Sequence, residues 1–390
     1  MTNRPIVWSI AGTDSGGGAG LAADLRSADA FGVHLCPVVA AVTAQNSLAV
    51  TRVEPVSASV LEAQLKALED DMPPQAIKTG LLGSAEAVAT VARWVDRLRR
   101  RAPVALVVDP VQAASTGAVF ADTAVVHAYR DLLLPRASLI TPNRREAAWL
   151  LGPAHASGHP SVPQQARDLR AAGAAAVCVT GGDSADLQGQ VLDWVDSPHA
   201  AGWLASARVH TPHTHGTGCT FATATASALA LGFVAPDALV LAKMATLQAL
   251  RGGVAAGQGA GPVRALPGFA SDPALLPRLS WGEQPGFATA QASPAPRALG
   301  LYAVVDSAER VLQVLAAGVT TVQLRIKAPA ASPGLREALR TAIAAARAAG
   351  ALLFVNDHWE LALELGAEGV HLGQEDLLAL DDARRTLLIS

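Results

Sequence analysis

Residues 104–111 read VALVVDPV, an unbroken apolar run closed by Asp109 and its neighbours. A strand with no polar side is buried on both faces, as in a parallel sheet covered by helices. The flanks repeat the theme. IVWSIAG (6–12), VHLCPVVAAVTAQN (33–46), QAIKTGLLG (75–83), SLITPN (138–143) and AAVCVTGG (175–182) are further β-rich runs. Helical patterns separate them: LAADLRSADAFG (21–32), AEAVATVARWVDRLRRR (85–101), AVVHAYRDLLLPR (124–136), RREAAWLLG (144–152) and PQQARDLRAAG (163–173). This alternation predicts an α/β fold with a mostly parallel sheet flanked by helices. Ligands of such sheets bind beyond the carboxyl ends of the strands. That puts AGTD, TAQN, DPV, TPN and TGG on one rim.

At 390 residues the chain has room for two or three domains, and 51% apolar residues supply large cores. The formal net charge is −3 and no basic stripe interleaved with aromatics occurs, which argues against nucleic acid as a partner. No run reaches the roughly 18 apolar residues of a membrane span. The opening MTNRPIVWSIAG lacks the build of a signal peptide. Cys36, Cys178 and Cys219 are far apart, with neither disulfide nor metal-ligand spacing. The expected location is the cytoplasm and the expected partner a small molecule. Lysine occurs only at 66, 78, 243 and 327 amid frequent arginine, so each surviving lysine hints at chemistry that needs it.

The stretch HTHGTGCTF (213–221) runs into the apolar helix pattern FATATASALALGF (221–233). Its glycines open a helix, where unpaired amides and the helix dipole make an anion site. Cys219 falls in the first turn, where a thiolate is favoured. Such a group could polarise or deprotonate a hydroxyl attacking a phosphoryl group. A cysteine that merely packs a helix start is the plain alternative.

Taken together, AGTDSGGGAGLAADL, TAQN, VVDPV, LITPNRREAAWLLG, HTHGTGCT and GAGPV stand in the order of the hydroxymethylpyrimidine/phosphomethylpyrimidine kinases. The chain resembles that branch of the ribokinase-like superfamily over roughly residues 5 to 266. The resemblance implies a ribokinase-like fold. It implies ATP-dependent, Mg²⁺-assisted phosphorylation of 4-amino-5-hydroxymethyl-2-methylpyrimidine, then of its monophosphate. It makes Cys219 catalytic within the anion hole of Gly216, Thr217 and Gly218. Gly12, Asp24, Thr43 and Gln45 would bind substrate, the Gln45 amide facing the aminopyrimidine edge. Asn143, Thr180 and Lys243 would meet the nucleotide; Asp109 and Glu146 would serve the metal. Asn143 and Glu146 also read as a helix cap with its capping-box partner, and Lys243 reads equally as a solvated helix residue. Thr180 replaces a lysine usual in the family, removing a cation near the phosphates. A homodimer is the expected assembly. The alternatives are a pyridoxal or pyridoxine kinase and a non-catalytic pyrimidine-binding protein.

After the kinase-like region (1–267), residues 268–297 are rich in Pro, Gly, Ser and Ala and read as a linker with at most one short helix. From residue 298 the alternation restarts in GLYAVVD, TTVQLRIK, ALLFVND and EGVHLG, four βα units suggesting part of a TIM-type (β/α) barrel. This segment (298–390) resembles thiamine phosphate synthase. By resemblance Gln323, Arg325, Lys327 and Asn356 grip the pyrimidine diphosphate, and Asp357 and Asp376 bind Mg²⁺. With half of a barrel, the synthase activity is expected to be absent.

Overall fold

The computed structural model describes residues 4–112, 122–152, 161–182, 189–280, 282–283 and 299–389. Two compact units emerge, residues 1–288 and 289–390.

The first unit is built on one ten-stranded sheet. Its strands are β1 (Ile6–Gly12), β2 (His34–Gln45), β3 (Val50–Pro55), β4 (Ala76–Thr79), β5 (Ala105–Val108), β6 (Leu139–Ile140), β7 (Val177–Val179), β8 (Gln190–Asp196), β9 (Ala201–Ala207) and β10 (Arg278–Leu279). They lie in the order β10-β9-β8-β7-β6-β5-β4-β1-β2-β3. The stretch from β7 to β2 is parallel; β3, β8, β9 and β10 join antiparallel. The chain leaves β1 toward β2 and returns to β4 on the other side. The crevice between β1 and β4 is therefore the point where strand order reverses, the favoured ligand site of such sheets.

Helices cover both faces. One face carries α1 (Gly20–Ala30); the other carries α2 (Ala58–Glu69), α3 (Ala85–Arg99), α4 (Thr123–Ala128), α5 (Arg144–Leu151) and α6 (Val162–Ala171). Of two later helices, α7 (Thr217–Ala230) packs beside α1 and α8 (Ala235–Arg251) packs on α7. The expected helix over 124–136 changes character: α4 passes into a π turn at Tyr129–Leu133 and a 3₁₀ turn at Leu134–Arg136. Pro135 has no amide to donate, so the α-helical ladder cannot run on. Val107 and Val108 are fully buried, as the opening motif requires.

Residues 269–280, expected as linker, belong to this unit. Phe269 and Leu275 are buried in its core, and β10 pairs with β9. Phe269 stacks at 4.7 Å from Phe31, so two apolar side chains and an open strand edge outweigh a composition that suggests a tether. Residues 281 and 284–297 of the expected linker lie outside the described residues.

The second unit is a four-stranded parallel sheet, β11 (Tyr302–Val305), β12 (Thr321–Leu324), β13 (Leu352–Asn356) and β14 (Gly369–His371), in chain order. Between and after them run α9 (Ala308–Ala316), α10 (Leu335–Ala348), α11 (Trp359–Glu364), α12 (Gln374–Ala379) and α13 (Asp382–Ile389). Helix α10 buries Leu335, Leu339, Ala342, Ile343 and Ala346, an apolar stripe at helical spacing. Among the described residues no helix is long and apolar enough to cross a membrane.

Candidate active site

The site grows from the strand ends. Helix α7 begins at Gly216, whose φ of +86° is left-handed. A Cβ there would overlap the Gly18 carbonyl, so glycine is required on two counts. Thr217 closes the turn by donating its hydroxyl to Thr214 O at 2.6 Å. Among the described residues the amides of Gly218 and Cys219 have no protein acceptor. Nothing would meet a Cβ at Gly218, so this corner is open. Helix α7 packs on β1, β4 and β5, which sets its first turn over the reversal crevice.

Beneath that turn lies a charge cluster the sequence did not announce. Lys78, on β4, is fully buried and donates to both oxygens of Asp24, also fully buried, at 3.0 and 3.1 Å. Ser9 and Thr223 donate to the same carboxylate at 2.6 and 2.7 Å. Asp24 is thus a floor residue and does not face substrate, because its lone pairs are taken by three buried partners. Burial opposes the charge on Lys78, but Asp24, Cys219 and Asp109 outweigh it and raise the ammonium above its ordinary range.

Asp109 follows β5 and lies 3.8 Å from Lys78, an ion-pair distance too long for a hydrogen bond. That oxygen, Oδ2, is buried and accepts no hydrogen bond among the described residues, and the hydroxyls of Thr79 and Thr141 on the adjoining strands likewise make none. Burial pushes the Asp109 carboxyl up to about 6 despite Lys78. Cys219 corrects a sequence expectation. Its thiol is pushed up to about 12, foremost by burial, with Asp24 and Asp109 adding; Lys78 and the Gly20 amide pull the other way and lose.

On the neighbouring strands, Gly12 ends β1 against Leu81. Thr43 donates to Thr13 O at 2.8 Å and fixes the glycine loop to β2. Gln45 ends β2, half-buried, with its backbone tied both ways to Ser15. One terminal atom of its carboxamide lies 3.2 Å from His215 Nε2, which lies 2.9 Å from Asp14. Asp14 and His215 stood inside quoted motifs without a role. Both are buried, and a His in HTHGTGC three residues before the glycine–cysteine pair was the available signal.

The nucleotide-side expectations divide. Asn143 caps α5, accepting from Arg145 and Glu146 at 2.9 and 3.0 Å, while Glu146 accepts from the Asn143 amide at 2.9 Å. The capping box is present, and it occupies one Glu146 oxygen. Thr180 bridges to Asn143 across adjacent strand ends. Lys243 does not face the rim. It is buried, donating to Asp193 at 2.6 Å, and Asp193 accepts the Gly181 amide at 2.8 Å. The lysine steadies the TGG turn from behind because Asp193, on β8, reaches it first.

In the second unit Gln323 donates to Asn356 at 2.6 Å, both buried. Arg325, Lys327, Asp357 and Asp376 are exposed at the strand-end rim. Asp357 has φ +62°, the one non-glycine at positive φ among the described residues and a conformation often held at functional sites. Among the described residues no three His, Cys, Asp or Glu side chains cluster as a metal site.

Residues 14–264 match the family model described as phosphomethylpyrimidine kinase, and residues 301–388 that of thiamine monophosphate synthase. A hydroxymethylpyrimidine/phosphomethylpyrimidine kinase of Synechococcus elongatus is 42% identical over 260 residues, spanning 66% of this chain and 96% of its own. The chloroplastic thiamine biosynthetic bifunctional enzyme of Arabidopsis thaliana is 34% identical over 386 residues, 96% of this chain and 70% of its own. A pyridoxal kinase of Staphylococcus aureus, solved with AMP-PCP and pyridoxal, superposes with a TM-score of 0.59 at 29% identity, covering 67% of this chain and 93% of that one. A ribokinase-like sheet, a glycine-opened anion corner and this extended identity place the chain in the phosphomethylpyrimidine kinase family, with a thiamine monophosphate synthase segment behind the kinase.

Proposed function

We propose that this chain transfers the γ-phosphoryl group of ATP to the hydroxymethyl group of 4-amino-5-hydroxymethyl-2-methylpyrimidine, and then a second phosphoryl group to the monophosphate. The observation that carries the proposal is the open first turn of α7, with unpaired Gly218 and Cys219 amides set over the strand-reversal crevice. Those amides and the helix dipole stabilise charge on the transferred group. Gln45 binds the ring edge, its amide offering a donor and an acceptor side by side. The Asn143–Thr180 corner borders the nucleotide.

Cys219 acts as a neutral thiol. Its sulfur accepts a hydrogen bond from the substrate hydroxyl and aims the oxygen at phosphorus. Phosphoryl transfer runs through a loose transition state, so the new O–P bond forms as the bond to ADP breaks, and the hydroxyl proton passes late to an oxygen of the transferred phosphoryl group rather than first to the thiol. The unpartnered, buried Asp109 oxygen fits a divalent cation shared with phosphates and water. Glu146 fits less well, one oxygen being held in the cap. A divalent cation held by Asp109 would supply positive charge against the phosphates.

The second unit supplies cationic side chains suited to a diphosphate at its strand-end rim. Phosphoryl transfer by the first unit is the activity proposed. The test is incubation with the pyrimidine alcohol, ATP and Mg²⁺, reading mono- and diphosphate by mass. Absence of both products, or turnover of pyridoxal alone, defeats the proposal. The resemblance also carries a homodimer and a cytoplasmic location, testable by sedimentation and by fractionation.

A further inference from the structure

A carboxamide is a weak discriminator on its own. Turned over, it exchanges donor and acceptor and reads the opposite ring edge. Something must fix Gln45, and the surrounding residues do. The Asp14 carboxylate accepts the amides of Gly16, Gly18 and Ala19 at 2.8, 2.9 and 2.7 Å and also faces His215 Nε2 at 2.9 Å. Burial works against its charge, but His215 and the Ala19 and Gly16 amides hold the carboxyl below its ordinary range.

An ionised carboxylate only accepts, so Nε2 of His215 carries the hydrogen. That N–H cannot also face an NH₂ group, since two donors would meet. The amide atom 3.2 Å away is accordingly the Gln45 carbonyl oxygen, with the NH₂ turned from the histidine. Amide N and O have the same shape, and the hydrogen-bond network assigns them. The ring has little freedom to relax. A Cβ at Gly18 would overlap it, and the His215 backbone is clamped to Gly261 and Val263 at 3.1 and 3.0 Å.

We infer that His215, held by Asp14, is a positioning residue that locks the Gln45 carboxamide in one orientation and so selects 4-amino over 4-oxo pyrimidines. The inference rests on the proposed function. An aminopyrimidine edge presents a ring acceptor beside an exocyclic donor, matching the Gln45 NH₂ and the second lone pair of its oxygen. An oxo ring presents N–H beside C=O. To read it, the carboxamide must turn, which sets its NH₂ against the His215 N–H.

The test is titration calorimetry with the 4-amino and 4-oxo alcohols, together with steady-state kinetics, on the full chain and three variants. His215→Leu frees the carboxamide and lowers the amino-to-oxo affinity ratio about tenfold or more, while kcat on the amino alcohol changes less than about threefold. His215→Gln keeps an N–H near Nε2 and restores most of the ratio. Gly18→Ala displaces the ring without removing it and reproduces the Leu effect. If His215→Leu does not fold by near-ultraviolet circular dichroism, Gly18→Ala decides. Unchanged ratios, or a collapse in kcat with KM untouched, overturn the inference. A parent chain that binds neither alcohol overturns the proposed function instead.

Discussion

Asp109→Asn tests the electrostatics of the site where they are most exposed to measurement. The carboxyl is buried and raised from an ordinary value of 3.8 to about 6. Folding therefore favours its protonated form. The contribution to stability is fully present below the unfolded value and is lost as pH rises through about 6. Across that interval, at about 1.4 kcal/mol for each pH unit, the loss is about 3 kcal/mol and is complete by pH 8. The amide keeps the shape and is neutral at every pH. The variant should match the parent near pH 3.5 and exceed it by about 3 kcal/mol at pH 8. It should also be inactive, because the unpartnered oxygen that burdens the fold is the one assigned to the cation. Urea unfolding followed by tryptophan fluorescence at pH 3.5, 6 and 8 measures the first part, and the mass assay the second. A stability difference flat in pH, or a variant weaker than the parent at pH 8, would refute the reasoning.

Lys78→Met strands the fully buried Asp24 with only Ser9 and Thr223, and should destabilise the first unit by about 3–5 kcal/mol. Adding Asp24→Asn should recover much of that loss in the same urea titration, and failure to recover it would remove the pair from the account. Cys219→Ala should lower kcat by about 10²–10³. Because the thiol lies at about 12, the parent's kcat should be flat from pH 7 to 9; a tenfold climb per pH unit would instead identify a thiolate base.

Much of the architecture is legible in the sequence because it is local. VALVV is buried on both faces, the helix patterns other than 124–136 fall on observed α-helices, and the GTGC turn opens α7 as its glycines demand. What escapes is pairing over distance. Lys78 meets Asp24 across 54 residues and Lys243 meets Asp193 across 50, and neither spacing carries a periodic signal. The scarcity of lysine pointed to both residues, but not to roles behind the site. Cys219 shows the same effect of distance: a helix start lowers a thiol, yet burial, with Asp24 and Asp109 brought near by folding, pushes this one up. Residues 269–280 look like a tether by composition, and only the sheet shows that a strand edge awaits them.

The lysine distribution has a practical consequence. Lys78 and Lys243 are sealed in the first unit, leaving Lys66 exposed there and Lys327 exposed in the second. Amine-reactive dyes therefore find one side-chain target in each unit without any engineered cysteine. A donor–acceptor pair on these two amines would report the distance between the units in solution. Protection of Lys327 from the dye by pyrophosphate would report the diphosphate at that rim.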